Sequence, residues 1–490
     1  MTKLTSPPRV EELVSRLRHV VDPTAIRTVA DFLDLVDYTH DVHGDSIDGT
    51  HGANGANYTH AAVPDAVPGT SPRSVDPVVV AAPASESEIS HLLRLADESG
   101  WKVAPVGANT QRGFGGVMEP VALAVESLQL NRLVDYSPAD MVVTVQAGMP
   151  FRQLKRVLAE HGQMLPLDPL SHPNATIGGI VATGISGPLR TMYGTLRDMV
   201  IGLRTVYPSG QIVRTGGKVV KNVAGYDMSK LFIGSLGTLA FISEITFKVR
   251  PLPSHTELCL LVGDRDQVAE AVSRIINSHL IASRMEALYG PWALDALEDA
   301  SHDGSRIASR DASGDEPPFA LAVESHEPRA GSMAQSQALS RLAADLGIEC
   351  KVLAGDSTTV FWDQYQDAAL TNAMCVRYTV PPNRAVAFTH ALARLLPTRD
   401  ALFSVTPVAG IGRVFASGLT PEDEIQMVTI VRGAAGEHGG IAVVESGSRK
   451  ARQSVDPFGF TGSELQLHRR IKQAIDPHGM LSPNRFLGGM

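Results

Sequence analysis

Cysteine is scarce in this chain: Cys259, Cys350 and Cys375 are the only three in 490 residues. Scattered and odd in number, they point to a reducing compartment rather than a disulfide framework. They also fall short of the four thiolates of an ordinary iron–sulfur cluster. If the chain handles electrons, any redox centre beyond its own cofactor must lie on a partner. Long hydrophobic runs are missing too. The run at 78–82 is far shorter than the ~20 residues that span a bilayer, so no transmembrane segment is expected. Residues 1–8 show neither the apolar core nor the cleavage pattern of a secretory signal. No basic block stands out and the net charge is −9, which argues against nucleic acid as a partner. These absences predict a cytoplasmic protein, at most peripheral to the inner membrane through partners.

Glycine, by contrast, is placed at telling points. The stretch 176–251 carries Gly178-Gly179, Tyr193-Gly194, Gly216-Gly217-Lys218, the run Lys221–Asp227 and Gly234-Ser235-Leu236-Gly237-Thr238. Glycine lets backbone N–H groups approach a ligand with no Cβ in the way, and successive N–H groups make a concavity for anions. A phosphate-bearing cofactor is the natural candidate. Upstream, a strand at 102–106 runs into Gly107-Ala108-Asn109-Thr110-Gln111, a plausible pyrophosphate cradle. The glycine spacing there is not that of a dinucleotide-binding Rossmann fingerprint. Gly216-Gly217-Lys218 is no Walker loop either, because its earlier glycine and following Ser/Thr are missing.

The order of elements predicts several domains. Residues 9–38 read as two short amphipathic helices, with Val10, Leu13, Leu17 and Val20-Val21 on one face. Residues 41–73 are loop-like, and their His43, His51 and His60 lack metal-ligand spacing. Ser85 and Glu88 form a capping box for a helix that ends at Gly100. Pro150 opens a helix that Gly162 ends, and Pro251-Leu252-Pro253 marks a boundary. From 256 to 455 strands alternate with helices, as in an antiparallel sheet covered by helices on one face. The expected units are 1–74, 75–253, 254–455 and a tail, 456–490, that docks back on the first domain.

Together, the 107–111 loop, Ala175-Thr176-Ile177-Gly178-Gly179, Tyr193-Gly194 and Gly237-Thr238-Leu239 resemble the vanillyl-alcohol oxidase / p-cresol methylhydroxylase superfamily of FAD proteins. The Lys221–Asp227 run and Gly-Ser-Leu-Gly at 234–237 are most similar to the FAD-binding subunit of bacterial glycolate oxidase. The resemblance implies an α+β chain: a two-subdomain FAD-binding domain plus a cap domain whose antiparallel sheet is covered by helices. It implies FAD contacts at Gly107, Ala108, Asn109, Thr110, Gln111 and Pro169. Further contacts are implied at Thr176, Gly178, Gly179, Gly184, Tyr193, Gly194, Gly237, Thr238 and Ile242. Asn109 stands where covalent members carry histidine, so FAD is expected to be non-covalent.

The implied reaction takes a hydride from a hydroxyl-bearing carbon to the flavin while a base takes the proton. A 2-hydroxy acid needs a cation for its carboxylate, and an arginine fork suits both oxygens. Arg377 is the first candidate and Arg413 the second, with Tyr378 as a further catalytic candidate. For the base, His255, His438 and Tyr378 stay open. The His-x-Gly-Asp-Gly-Asn motif of metal-dependent members is missing; His302-Asp303-Gly304 lacks its remainder. Three readings follow: a glycolate or D-lactate type dehydrogenase subunit beside a second flavoprotein and an iron–sulfur subunit, a self-contained oxidase of another alcohol or sugar, or a non-catalytic FAD-holding subunit.

Overall fold

The computed structural model describes residues 10–29, 78–217, 226–290, 317–396 and 401–490. The loop read at 41–73, the Lys221–Gly225 part of the glycine-rich run and His302-Asp303-Gly304 lie outside them.

The described residues begin with one helix, Val10–Leu17, whose Leu13 and Leu17 are buried with Val21. No second helix follows at once among them, and residues 30–38 of that reading lie outside the described residues. Asp22 caps a single 3-10 turn, and Ile26–Val29 pairs antiparallel with Val78–Ala81. The β-branched residues of Ile-Arg-Thr-Val favour a strand once an edge is offered. That edge belongs to a four-stranded sheet in which Val78–Ala81, Leu123–Glu126 and Val103–Val106 run parallel. Helix Glu86–Ser99 covers it, capped by the Ser85 side chain and ended by Gly100 at φ 69°. Here the short-range signals and the structure agree.

A second sheet is wholly antiparallel: Leu133–Ser137, Val142–Gln146, Phe241–Lys248, Val200–Val206 and Ile212–Gly216. Helices Phe151–Ala159 and Ile177–Thr183 pack on it through Leu154, Leu158, Ile177 and Val181.

The third sheet has eight antiparallel strands, with Glu257–Gly263, Phe319–Ser325, Arg284–Tyr289, Leu402–Thr406, Ile411–Ala416 and Met374–Thr379 between the edges Glu349–Ala354 and Ala442–Ser446. Helices Arg265–Ile276, Arg329–Leu346, Ala385–Leu395 and Pro421–Glu437 cover one face with a continuous apolar core. The expectation of helices on one face only is corrected by Asp356–Thr371. It lies on the opposite face, where Phe361, Trp362 and Tyr365 pack with Leu258, Leu260 and Leu288. That helix escapes a sequence reading because its polar and apolar residues are weakly segregated.

The tail returns to the first two sheets. Helix Ser463–Ile475 carries Lys472, whose Nζ donates to Thr238 O at 2.6 Å, Leu481 O at 2.9 Å and the Asp476 carboxylate at 2.6 Å. Asp476 in turn accepts from the N–H groups of Met480 and Leu481. Leu481 then forms a parallel bridge with Val103. Replacing one member of a buried pair strands the other charge, at a cost of about 3–5 kcal/mol. Lys472→Met should therefore lower the melting temperature by several degrees and expose the tail to limited proteolysis. A variant with unchanged melting and cleavage pattern would show that the tail is held by other contacts.

Candidate functional site

The loop after strand Val103–Val106 lies across the start of helix Ile177–Thr183, and a cleft runs between them. Gly107, Ala108, Asn109, Thr110 and Gln111 line it. So do Thr176, Gly178 and Gly179 from the helix start, and Gly237 and Ile242 from the turn and strand beyond. The Thr176 hydroxyl accepts the N–H of Gly179 at 3.2 Å. Two glycines are required by close approach. A Cβ on Gly107 would fall 2.2 Å from Thr176 Oγ1, and one on Gly178 would fall 2.7 Å from the Ala147 Cβ. Asn109 is left-handed at φ 58°, a conformation its short side chain tolerates. Leu236, at φ 53°, is a stiffer exception; its N–H is tied to Ala182 O at 2.8 Å.

The cleft suits a long anionic cofactor. Among the described residues that line it none is Asp or Glu, and Arg485 is the one charged side chain. Arg485 Nη2 donates to Gln111 O at 2.9 Å. Burial, with Arg452 nearby, pulls the guanidinium down to about 10. A cation drawn inward with no carboxylate to answer it is what a pyrophosphate requires, and the small Ala147, Ala182 and Gly178 leave width for a ribose and a ring. Arg485, Ala147 and Thr183 were not legible as lining residues, since nothing local marks them.

Other expected contacts fall elsewhere. Gly184 is the left-handed C-cap of helix Ile177–Thr183. Tyr193 shares a 2.9 Å hydrogen bond with His326 Nδ1, and Gly194 packs on Asp198, the capping-box partner of Thr195 at the start of the next helix. Thr238 Oγ1 donates to Ser235 O and lines a separate cavity of about 320 Å³ beside helix Ser463–Ile475. Pro169 accepts from Ser171 N–H, next to a lining residue but not itself one.

Leu236 belongs both to the cleft and to the apolar cluster on the face of the large sheet that carries Asp356–Thr371, with Ile185, Leu288 and Phe415. That face carries a polar group set among them. Arg413, 3% exposed, donates from Nε to Glu445 at 2.7 Å and from Nη2 to Ser186 O at 3.0 Å. Arg377, directly paired with Arg413 across the strands, donates from Nε to the other Glu445 oxygen at 2.8 Å. Burial opposes the Glu445 charge, but the two arginines hold its carboxyl below the usual range. Tyr378, as strand alternation demands, points the other way: it is buried under helix Ala385–Leu395 with its hydroxyl 2.7 Å from Thr389 Oγ1. The structure does not bring it to this site. Nor does it bring His255, paired with Glu257, or His438, beside Arg384.

Two carboxylates that the sequence reading missed lie here. Glu286 accepts from Thr406 Oγ1 at 2.7 Å and lies 3.4 Å from the Tyr365 hydroxyl. Burial pushes it up to about 7, against the pull of Thr406 and Arg413. Asp168 accepts from Leu189 N–H and faces Arg284 at 3.3 Å, yet burial raises it to about 6. The one available signal was a lone charge at an inward position of an apolar strand, Met285-Glu286-Ala287-Leu288. Arg284 also bonds to Glu324, which is shared with His326 and Trp362.

A carboxyl raised from 4.5 to about 7 keeps its proton longer in the folded state than in the unfolded one. Its contribution to stability is full below 4.5 and is lost as pH rises through 7, amounting to about 3 kcal/mol at 1.36 kcal/mol per unit. Denaturant unfolding of wild type and Glu286→Gln across that range should show the wild type losing ground to the variant as pH rises. Parallel curves would place Glu286 in a wetter setting.

Residues 77–216 match the family described as FAD binding domain, and residues 431–486 match FAD linked oxidases, C-terminal domain. An uncharacterized FAD-linked oxidoreductase of Mycobacterium tuberculosis is 29% identical over 429 residues, covering 84% of this chain and 91% of its own. A glycolate oxidase subunit of Escherichia coli is 40% identical over 176 residues, which is 36% of this chain and 49% of that subunit. The solved structure of p-cresol methylhydroxylase matches with a TM-score of 0.68 over 97% of this chain and 96% of its own, at 13% identity, a likeness of fold. Two matched domains, one at the cleft and one reaching through the tail to Arg485, agree with the geometry: the chain carries the FAD binding domain and the C-terminal domain of FAD linked oxidases on the fold seen in p-cresol methylhydroxylase, and its cofactor is FAD.

Proposed function

We propose that this chain oxidises the hydroxyl-bearing carbon of a small 2-hydroxy acid of the glycolate or D-lactate class, as the flavin subunit of a larger assembly. The observation that carries this reading is the arginine-rich patch on the sheet face that meets the cofactor cleft at Leu236. Carboxylate recognition needs a cation, and Arg377 on that sheet face offers one that is partly open, with 24% of its side chain exposed. Arg413 is committed to Glu445 and to Ser186 O, so its part is to hold Arg377's partner and the 186–190 turn in place. FAD, when bound, accepts the hydride. The hydroxyl proton needs an acceptor poised near neutrality, and Glu286 fits that requirement. Asn109 provides no ring nitrogen for a histidyl bond, so the cofactor is held non-covalently.

The similarity to a glycolate oxidase subunit supports a multi-subunit setting. A second flavoprotein and an iron–sulfur subunit are the partners we propose as electron acceptors. Among the described residues no helix is long and apolar enough to cross a membrane. A cytoplasmic location, peripheral to the inner membrane through those partners, is part of the same proposal.

The purified chain should be yellow, and anaerobic glycolate or D-lactate should bleach it. Arg377→Ala should then slow bleaching at limiting acid by about tenfold or more, roughly the worth of one charge-assisted hydrogen bond. Flavin that no hydroxy acid reduces, alone or with its partners, would sink the reading. Arg485→Met tests the cleft separately. It should weaken FAD binding by about 10–100-fold in an apo-protein titration, and unchanged affinity would remove Arg485 from the cofactor's contacts.

A further inference from the structure

Two arginines in the polar patch differ from Arg413 in how much of their hydrogen bonding is spent. Arg190 opens the short helix Arg190–Tyr193 of the FAD-binding half, and that helix packs on strand Arg284–Tyr289 of the large sheet. Its backbone N–H closes a turn to Gly187 O at 3.2 Å, and Ser186, at the start of that turn, accepts Arg413. The Arg190 guanidinium is half-buried and makes no hydrogen bond or ion pair with any described residue. Arg377 uses only Nε, leaving both Nη groups without a partner among the described residues. The two guanidiniums are close enough that Arg413 and Arg377 depress Arg190 after burial has done so. Two carboxylates act on it as counter-charges: Glu286, which accepts from Thr406, and Glu445, both of whose oxygens are taken by Arg377 and Arg413. Beside Arg190, Ser186 Oγ and Thr191 Oγ1 are buried hydroxyls with no hydrogen-bond partner among the described residues; Ser186 itself is 6% exposed.

An unspent guanidinium from each half of the protein, linked through Arg413 and the turn at Ser186, and two hydroxyls without a partner among the described residues form a donor-rich patch suited to an anion. We propose that Arg190 and Arg377 together form a carboxylate clamp, Arg190 from the FAD-binding half and Arg377 from the large sheet, which selects acids over neutral alcohols and sugars. The inference rests on the hydroxy-acid reading above and deepens it by assigning a residue that none of the sequence motifs contains. In the clamp the anion bridges the two halves, and Ser186 and Thr191 donate their hydroxyl protons to it. Arg413 acts as a positioning residue, because its hydrogen bonds among the described residues go to Glu445 and to the turn that carries Arg190.

The test is binding, which requires no turnover. Oxalate, which carries no hydrogen for transfer, is titrated into FAD-loaded protein by calorimetry, with neutral lactamide as the control. Arg190→Gln should weaken oxalate by about 10–100-fold, the range of one charged hydrogen-bonded contact, while FAD content and lactamide binding stay as in wild type. Arg190→Lys keeps the charge but not the fork and should fall between. In the unmodified protein, oxalate should protect Arg190 and Arg377 from phenylglyoxal, read by peptide mapping, which holds even if a variant fails to fold. Unchanged oxalate affinity in the variants, or modification of Arg190 at the same rate with and without oxalate, overturns the clamp. Oxalate binding that depends on Arg190, in a protein whose flavin no hydroxy acid reduces, would keep the clamp and sink the proposed reaction. Reduction by D-lactate with oxalate binding indifferent to Arg190 would do the reverse.

Discussion

The buried cation of Arg413 is the constraint on which the site depends. It is 3% exposed, and a charge so placed persists only if its donors are met. One donor goes to Glu445 on the neighbouring edge of the same sheet and another to the backbone of Ser186 in the FAD-binding half. The first bond fixes the carboxylate that orients Arg377. The second pins the turn that leads into Arg190. One guanidinium thus sets the relative positions of two others that come from different parts of the chain.

The cofactor cleft is built on a different principle. There the backbone does the work, and side chains are kept small so that it can. Gly107 against Thr176, and Gly178 against Ala147, bring loop, helix and strand closer than any Cβ would allow. The charge balance follows the same economy: among the described residues the lining has no carboxylate, and its one cation arrives from the tail as Arg485. Lys472 and Asp476 hold that tail in place, so a pair remote from the cleft determines whether its cation is present.

The patch belongs to the large sheet, whose two faces do separate jobs. Residues of one parity, such as Met285, Ala287 and Tyr378, feed the helix-covered core. Those of the other parity, Arg284, Glu286 and Leu288, meet the FAD-binding half. Alternation therefore explains why Arg377 and Tyr378, adjacent in sequence, have unrelated surroundings. It also explains why Glu286, in an apolar run, is held near 7: the face it points to is dry but not empty of partners.

Local chemistry made much of this legible from the residues alone. The Ser85 cap, the Gly100 stop, the 107–111 loop and most strands of the large sheet depend on neighbours within a few positions, and the chain writes such neighbours down in order. So the FAD-binding type and ten of the lining residues could be named in advance. The strand at Ile26–Val29 could not, because its partner edge lies some fifty residues away. Nor could Arg190, Arg485, Asp168 or Glu286, whose meaning comes from what is packed against them. Burial and charge pairing act between residues far apart in sequence, and they exist only once the sheets have closed on one another.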